Sequence, residues 1–439
     1  MPDVWWSVAA AGLWTLAIAV RVRNAFLFPL DGTADARLGH LDYIRWVHTH
    51  WAQPPTHQNW ETWQPPLFYW ASAALWKAVE PFSARPDDLL APPQAVLLPL
   101  FTSALGLLAV WVGMRVTRRL VPGDRLAHTL ALALLLFLPM HLMLAPWLRN
   151  DLVVVLLTSL VLARLAATPD LGAMSGGGAL ALGVLGGLAL LAKYTGTAVV
   201  AVCGLTFGIV ALVRPARAAW AAATFAVVAG IAFVMSAWFY AWHWLAYGSA
   251  FVTPNDWFGG FRLPPGSRTL ADWLWFAPEV FVRPWVLDPD VIHSIPAGTY
   301  ASTWFDAQYI FLVHWMPQDV AVWPGRWLLL LGVLPTFVLL AGAARALAAV
   351  VRDGLEPWLP LVVCAVWAVV AYVVLNVGAP FYSTVKGHYL MPAALPCMAF
   401  FALGVARAPG WLRAALAVDV GLLVVSASVV FCFGLVGGR

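Results

Sequence analysis

Residues 218–245 run for 28 positions without a single Asp, Glu, Lys or Arg. A helix apolar on every face has to be wrapped in protein or in lipid. The feature recurs along the chain. Mostly apolar runs fall at about 5–28, 92–114, 127–146, 152–167, 177–192, 195–213, 218–245, 326–349, 358–377, 388–406 and 412–436. A transmembrane helix needs about 20 such residues. Of 439 residues, 62% are hydrophobic and 10% charged, whereas soluble domains carry about 25% charged residues. One core could not hide this much apolar surface. We therefore expect an all-α polytopic membrane protein with about 11 transmembrane helices, forming a single domain over residues 1–439. Span 152–167 is short. Only Lys193 and Tyr194 separate 177–192 from 195–213, so these two could be half-helices, which membranes tolerate where backbone lines a polar cavity. The first run has only Met-Pro-Asp before it and no small-residue cleavage site, and is expected to be a retained helix.

Arginine places the loops. Arg115, Arg118, Arg119 and Arg125 follow the second run, Arg214 and Arg217 the sixth, Arg345 and Arg352 the eighth, and Arg407 and Arg413 the tenth. With these spans all four clusters fall on one side, which the positive-inside rule assigns to the cytoplasm. The net charge of +4 reflects these turns and is no nucleic-acid footprint. Cys203, Cys364, Cys397 and Cys432 lie in apolar runs and read as small buried hydrophobes, without metal-ligand spacing.

The opposite side receives two long segments, 29–91 and 246–325, rich in Trp, Pro, His and Asp. They are expected to form the active face. The first reads FPLDGTADARLGHLDYIRWVHTHWAQPPTHQNWETWQPPLFYW and holds Asp31, Asp35, Asp42, His40, His48, His50 and His57. Its Gly39–His50 stretch predicts an amphipathic helix with Leu41, Ile44, Trp46 and Val47 free for the membrane interface. A second helix should start near Leu67, after Pro65-Pro66, where proline's missing N–H costs nothing. Further polar points on this side are Arg149-Asn150-Asp151, Lys193-Tyr194-Thr195, and Lys386-Gly387-His388-Tyr389. Asn150 and Asp151 could simply cap a helix. Lys193 is a cation inside an apolar stretch, a functional hypothesis by default, although it could also snorkel to the interface.

In this order the motifs resemble a known family. Asp35 before Gly39-His40-Leu41-Asp42-Tyr43-Ile44-Arg45, followed by Gln64-Pro65-Pro66-Leu67-Phe68-Tyr69, resembles the first external loop of family 39 glycosyltransferases, the protein mannosyltransferase and aminoarabinose transferase relatives of the GT-C fold. Asn150-Asp151-Leu152 is similar to the family's second acidic site. Leu191-Ala192-Lys193-Tyr194-Thr195-Gly196 and Lys386-Gly387-His388-Tyr389-Leu390-Met391-Pro392 are similar to two further segments. The family usually sets its first Asp closer to the His, which keeps Asp42 a rival to Asp35 and Asp31 a weaker one, and often has Arg where this chain has His388.

The resemblance implies a sugar donor linked to polyprenyl phosphate and a glycan, lipid or protein acceptor. Asp35 would be the general base, with Asp42 its rival. Asp151 would orient the acceptor, the base or a metal. Arg149, Lys193, Lys386 and His388 are the candidate grips for phosphate, with His40, Glu61, Gln64, Asn150, Tyr194 and Tyr389 as further substrate contacts. Trp257, Trp273, Trp275, Trp304 and Asp306 could cover the sugar and acceptor. No metal site is recognised, although His40 with Asp35 could hold a divalent ion. The expected place is a bacterial inner membrane, with the site facing the periplasm or exterior. A transporter or flippase is the competing reading. It would put charges and helix breaks near the midplane, often in repeated halves, and only Lys193 speaks for it. A non-catalytic scaffold is the third reading, and under it Asp35 and Asp151 would be dispensable.

Overall fold

The computed structural model describes residues 3–32, 36–253, 263–306, 318–352 and 354–434, and among these the regular structure is helical. In chain order the helices are α1 (Asp3–Leu27), α2 (Leu41–His50), α3 (Leu67–Val79), α4 (Gln94–Leu120), α5 (Arg125–Phe137), α6 (Pro139–Leu144), α7 (Asp151–Ala166) and α8 (Gly176–Ala192). Then come α9 (Thr197–Val213), α10 (Ala218–Tyr247), the short α11 (Leu270–Leu274), α12 (Ile295–Trp304), α13 (Gln318–Arg352), α14 (Leu359–Gly378), α15 (Ala394–Ala406) and α16 (Gly410–Val429).

Every expected span meets a helix. Eight helical stretches among the described residues are long and apolar enough to cross a membrane: Val4–Leu27, Gln94–Leu120, Tyr194–Val213, Pro215–Tyr247, Asp319–Arg352, Leu359–Gly378, Tyr382–Ala406 and Gly410–Phe433. The other three expected spans are shorter. The run at 127–146 breaks at Leu138-Pro139 into α5 and α6, and α7 and α8 have 16 and 17 residues. At 1.5 Å per residue these last two are about 25 Å long, less than the ~30 Å hydrocarbon layer. Asp151 opens the first of these two short helices and Lys193 follows the second.

Helices α8 and α9 are not the halves of one span. Arg214, just after α9, donates to Asp170, just before α8, at 3.1 Å. The two helices go out and back, with the Lys193–Gly196 turn at the far end. A Cβ on Gly196 would overlap Ala189 O, so glycine is what allows the turn to close. Two further links join arginine-bearing turns to one another. Arg413 donates to Asp124 at 2.7 Å, and Arg214 grips Glu356 through two hydrogen bonds of 2.9 and 2.7 Å. The bundle thus has an arginine-rich end and an opposite end that collects the long segments.

Small residues set the close crossings, as in other membrane bundles. Gly183 and Gly187 of α8 face α10 so closely that Cβ atoms there would lie 2.7 Å from Ile231 Cβ and Met235 Cβ. Gly342 of α13 abuts Phe400 O of α15, and Gly404 of α15 abuts Val338 O of α13.

The amphipathic helix at 39–50 forms as expected, but its apolar face does not meet lipid. Leu41, Tyr43, Ile44 and Val47 are buried, and Tyr43 stacks on Tyr69 of α3 with ring centroids 3.7 Å apart. The stripe is filled by α3, which starts at Leu67 after Pro66.

Candidate active site

The polar side chains of the far end converge at the start of α7. Asn150 and Asp151 begin that helix, but Asn150 makes no side-chain cap. Its Nδ2 instead donates to Gln64 Oε1 at 2.5 Å and to Ala192 O at 3.1 Å. A buried amide that leaves its own helix unserved in order to join two distant segments is a positioning device. It ties the first loop to the α8–α9 turn.

Asp151 completes the tie. Its Oδ1 accepts from Lys193 Nζ at 2.7 Å, and its Oδ2 lies 3.8 Å from Arg149 Nη1. All three side chains are nearly buried, 8%, 11% and 7% exposed respectively. Lys193 therefore does not reach for the surface; it turns inward to a carboxylate. Asp151, Thr195, His388 and Tyr389 line one cavity of about 10 Å³ with Val154, Val155, Met391 and Pro392, room for about one water. Lys386 lies two residues before the buried His388, on the segment that Ser302 holds by accepting from Gly387 N at 2.8 Å. Asp151 thus holds two cations, Arg149 and Lys193, at one buried point.

The first loop supplies a second chain of contacts. Gln64 Nε2 donates to Glu61 Oε2, and Glu61 Oε1 lies 3.9 Å from His40 Nε2. His40 Nδ1 is 2.8 Å from Tyr69 Oη. Burial, followed by the negative charge of Glu61, holds the Tyr69 phenol well above its ordinary pKa, so Tyr69 stays a hydrogen-bond donor. Gly39 lets this loop close, because a Cβ there would overlap Glu61 Cγ. Tyr43 Oη donates to Gln64 O at 3.1 Å, and Gln53 Nε2 donates to Tyr43 Oη. Tyr194 Oη lies 3.3 Å from Trp63 O and 3.1 Å from His243 Nδ1. One polar layer thus runs from His40 through Glu61, Gln64 and Asn150 to the Asp151–Lys193 pair.

Of the residues singled out in the sequence, the layer unites His40, Glu61, Gln64, Arg149, Asn150, Asp151, Lys193, Tyr194, His388 and Tyr389. Asp42 lies elsewhere. It pairs with Arg45 at 3.0 Å, and both side chains are nearly half exposed. It lines an open cleft with Arg45, Trp46, Thr49, His50, Gln58 and Asn59. Asp35 lies outside the described residues, as does Trp257. Among the covering residues Trp304 and Asp306 are buried, Trp273 is half-buried and Trp275 is 62% exposed. No group of three or more His, Cys, Asp or Glu converges to hold a metal among the described residues. Three participants carried no assigned role beforehand. Tyr69 lies inside the Gln64–Tyr69 motif, which was its available signal. Trp63 and His243 sit in aromatic-rich stretches where nothing marks them from their neighbours.

No family model matches this sequence, and no curated protein does. Solved structures do resemble it. ArnT from Cupriavidus metallidurans bound to undecaprenyl phosphate aligns with a TM-score of 0.53 at 14% identity, covering 100% of this chain and 77% of that one. The archaeal oligosaccharyltransferase AglB from Archaeoglobus fulgidus, in complex with an inhibitory peptide and a dolichol-phosphate, aligns with a TM-score of 0.51 at 13% identity. This chain spans 56% of AglB's length. The likeness shows the fold. It is the GT-C architecture that the motif resemblance implied.

Proposed function

We propose that this protein is a membrane glycosyltransferase that moves a sugar from a polyprenyl-phosphate carrier to an acceptor hydroxyl. The observation that carries the reading is the buried Arg149–Asp151–Lys193 group, with Lys386 and His388 beside it. Two cations, Arg149 and Lys193, are held there on either side of the Asp151 carboxylate. Cations held in place in a buried site are suited to stabilise the negative charge that grows on a leaving phosphate. Two solved structures that share this fold hold undecaprenyl phosphate and a dolichol-phosphate, which agrees with that ligand class.

The chemistry follows from the charges. An acceptor hydroxyl attacks the anomeric carbon and loses its proton to a carboxylate, an effect typically worth about 10²–10⁴-fold. The bond from that carbon to the phosphate oxygen breaks, and its electron pair leaves with the lipid phosphate. Lys193 and Arg149 stabilise the growing negative charge, Lys as a point charge and Arg in bidentate fashion. A single displacement inverts the anomeric centre. Asp151, held between two cations, orients them. Asp35 is the proposed base. Asp42, bound to Arg45 in an open cleft, is a weaker rival than its sequence position suggested. By the arginine asymmetry the site faces the periplasm or exterior of an inner membrane. The transporter reading has less support, because the polar layer sits at one end of the bundle and the α8–α9 turn is an out-and-back hairpin.

The test is transfer by purified protein in liposomes, with radiolabelled polyprenyl-phosphate sugars and a crude acceptor extract. Wild type should transfer or hydrolyse donor, and Asp35→Asn should lose this while melting as a cooperative, folded protein. Activity retained in Asp35→Asn but lost in Asp42→Asn would move the base. A wild type inert across the donor panel would overturn the enzyme reading and bring lipid flipping forward.

A further inference from the structure

Helix α2 has two faces. Leu41, Tyr43, Ile44 and Val47 are buried. Asp42, Arg45, Trp46, Thr49 and His50 recur at the three- and four-residue spacing of the opposite face. With Gln58 and Asn59 they line an open cleft of about 350 Å³, a size within the range of small-molecule sites. The turn that closes the cleft is braced from inside. Thr62 Oγ1 donates to Thr56 O at 2.8 Å and accepts from Asn59 N at 3.2 Å, and Glu61 N donates to Asn59 Oδ1 at 3.1 Å. Gln58 and Asn59 border the cleft, while Glu61 and Gln64 of the same turn stand in the polar layer that reaches Asn150. The cleft is thus joined to the proposed transfer site by one short, braced piece of chain.

Part of the lining's hydrogen-bonding capacity is used within the protein. Asp42 Oδ1 accepts from Arg45 Nη1 at 3.0 Å, Thr49 Oγ1 donates to Arg45 O at 2.9 Å, and His50 Nδ1 lies 3.1 Å from Trp46 O. The remainder is available. Asp42 Oδ2, His50 Nε2, Asn59 Nδ2 and the side-chain amide of Gln58 have no protein partner among the described residues. The carboxylate of Asp42 and the guanidinium of Arg45 cancel in charge, which suits a neutral ligand. Trp46 and His50 stack with ring centroids 4.0 Å apart, an aromatic surface that can take C–H groups. An acyl chain would cover these donors and acceptors without serving them, which is costly. A sugar ring brings adjacent hydroxyls for the carboxylate and amide groups and a C–H face for the aromatic pair.

We propose that this cleft is the acceptor subsite and that the acceptor is a neutral saccharide. The assignment rests on the transfer reading above and narrows its acceptor to one class. Gln58, Asn59 and His50 hold the sugar's hydroxyls, and the turn that carries Gln58 and Asn59 sets the acceptor beside the polar layer.

Two measurements test this, both on the full chain in a detergent without a sugar headgroup. The first is saturation-transfer difference NMR with methyl glycosides of neutral hexoses and pentoses. The second is donor hydrolysis and transfer from radiolabelled polyprenyl-phosphate sugars, with the same glycosides, a serine-rich peptide or phosphatidylglycerol as acceptor. Wild type should bind at least one glycoside and transfer sugar to it. Gln58→Ala with His50→Ala removes two hydrogen-bonding groups and should raise the KM for that glycoside by about tenfold or more. The rise should exceed any change in donor hydrolysis without acceptor. Both side chains are exposed, and a melting curve checks the fold; if the double variant misfolds, Gln58→Ala alone should raise KM several-fold. Asp87→Asn, an exposed residue of the same long segment that does not line the cleft, should change KM less than about twofold. Donor hydrolysis by wild type with transfer only to peptide or lipid, and no glycoside bound, would overturn the saccharide assignment and leave the transfer reading standing. An unchanged KM in the cleft variants would overturn the cleft as the subsite. A wild type inert toward every donor would overturn the transfer reading and the acceptor role with it.

Discussion

Lys193 Nζ lies 2.7 Å from Asp151 Oδ1, and the two side chains are 11% and 8% exposed. Forty-two residues separate them. Each ends or begins a short helix, and the pair closes α7 against the α8–α9 turn. Removing one partner strands the other's charge, which in a buried pair costs about 3–5 kcal/mol. Lys193→Met and Asp151→Asn should each lower stability steeply, with Lys193→Met softened by Arg149. The double variant should be less destabilised than the sum. A double-mutant cycle from thermal melts in detergent measures this, and a coupling below about 0.5 kcal/mol would refute the tie.

Asn150→Ala removes the donor shared by Gln64 and Ala192. Two buried acceptors lose their partner, at a cost of about 1–3 kcal/mol. Hydrogen exchange at residues 58–64 should rise, because that turn loses its anchor on α7. Unchanged protection there would show that the loop is held by other contacts.

Glu80 gives the first loop a pH dependence. Its carboxylate is 2.7 Å from Lys77 Nζ and 2.5 Å from His48 Nε2. The Lys77 hydrogen bond, with His48, holds its pKa below the ordinary value. A carboxylate with a depressed folded-state pKa stabilises above its unfolded value, about 4.3, and that stability fades as pH falls through the folded value. Docking of α2 on α3 should therefore loosen under acid, seen as faster exchange in 41–50. Glu80→Gln should weaken docking at neutral pH and flatten the dependence.

Gly342→Leu should disrupt the α13–α15 crossing, where backbone carbonyls leave no space for a side chain. Overpacking typically costs about 1–3 kcal/mol, and backbone contact puts this site at the upper end. Gly12→Leu, with open space around it, is the control. Equal melting temperatures for the two variants would contradict the packing.

At the arginine-rich end, Glu356→Gln should break the two-pronged contact with Arg214 while its amide oxygen can still accept from Leu171 N, as Glu356 Oε1 does at 3.1 Å. The side chains are 35% and 14% exposed, so solvent screens the pair and the loss should be about 1 kcal/mol. A loss that vanishes with Arg214→Gln already present would confirm the pairing.

Much of this architecture is legible in the sequence because lipid permits few solutions. Uncharged runs such as 218–245 must be helices, since backbone groups in hydrocarbon have to bond within their own segment. Arginine marks one end for the same local reason. The motif order pointed to the fold, and the residues it marked, from His40 to His388, are largely those that meet. Partnership is another matter, because it depends on which distant segments touch. Nothing local says that Lys193 turns inward to Asp151 instead of outward to the interface, that Asn150 serves Gln64 instead of its own helix, or that Asp42 belongs to an open cleft with Arg45. Nor does periodicity distinguish a face that meets lipid from one that meets another helix, which is why the stripe of α2 proved to be covered by α3. Local composition thus settles the helices and marks the segments richest in polar side chains, because burying polar groups is costly at short range. Which charges pair is set by packing, because burial and distance are properties of the folded chain.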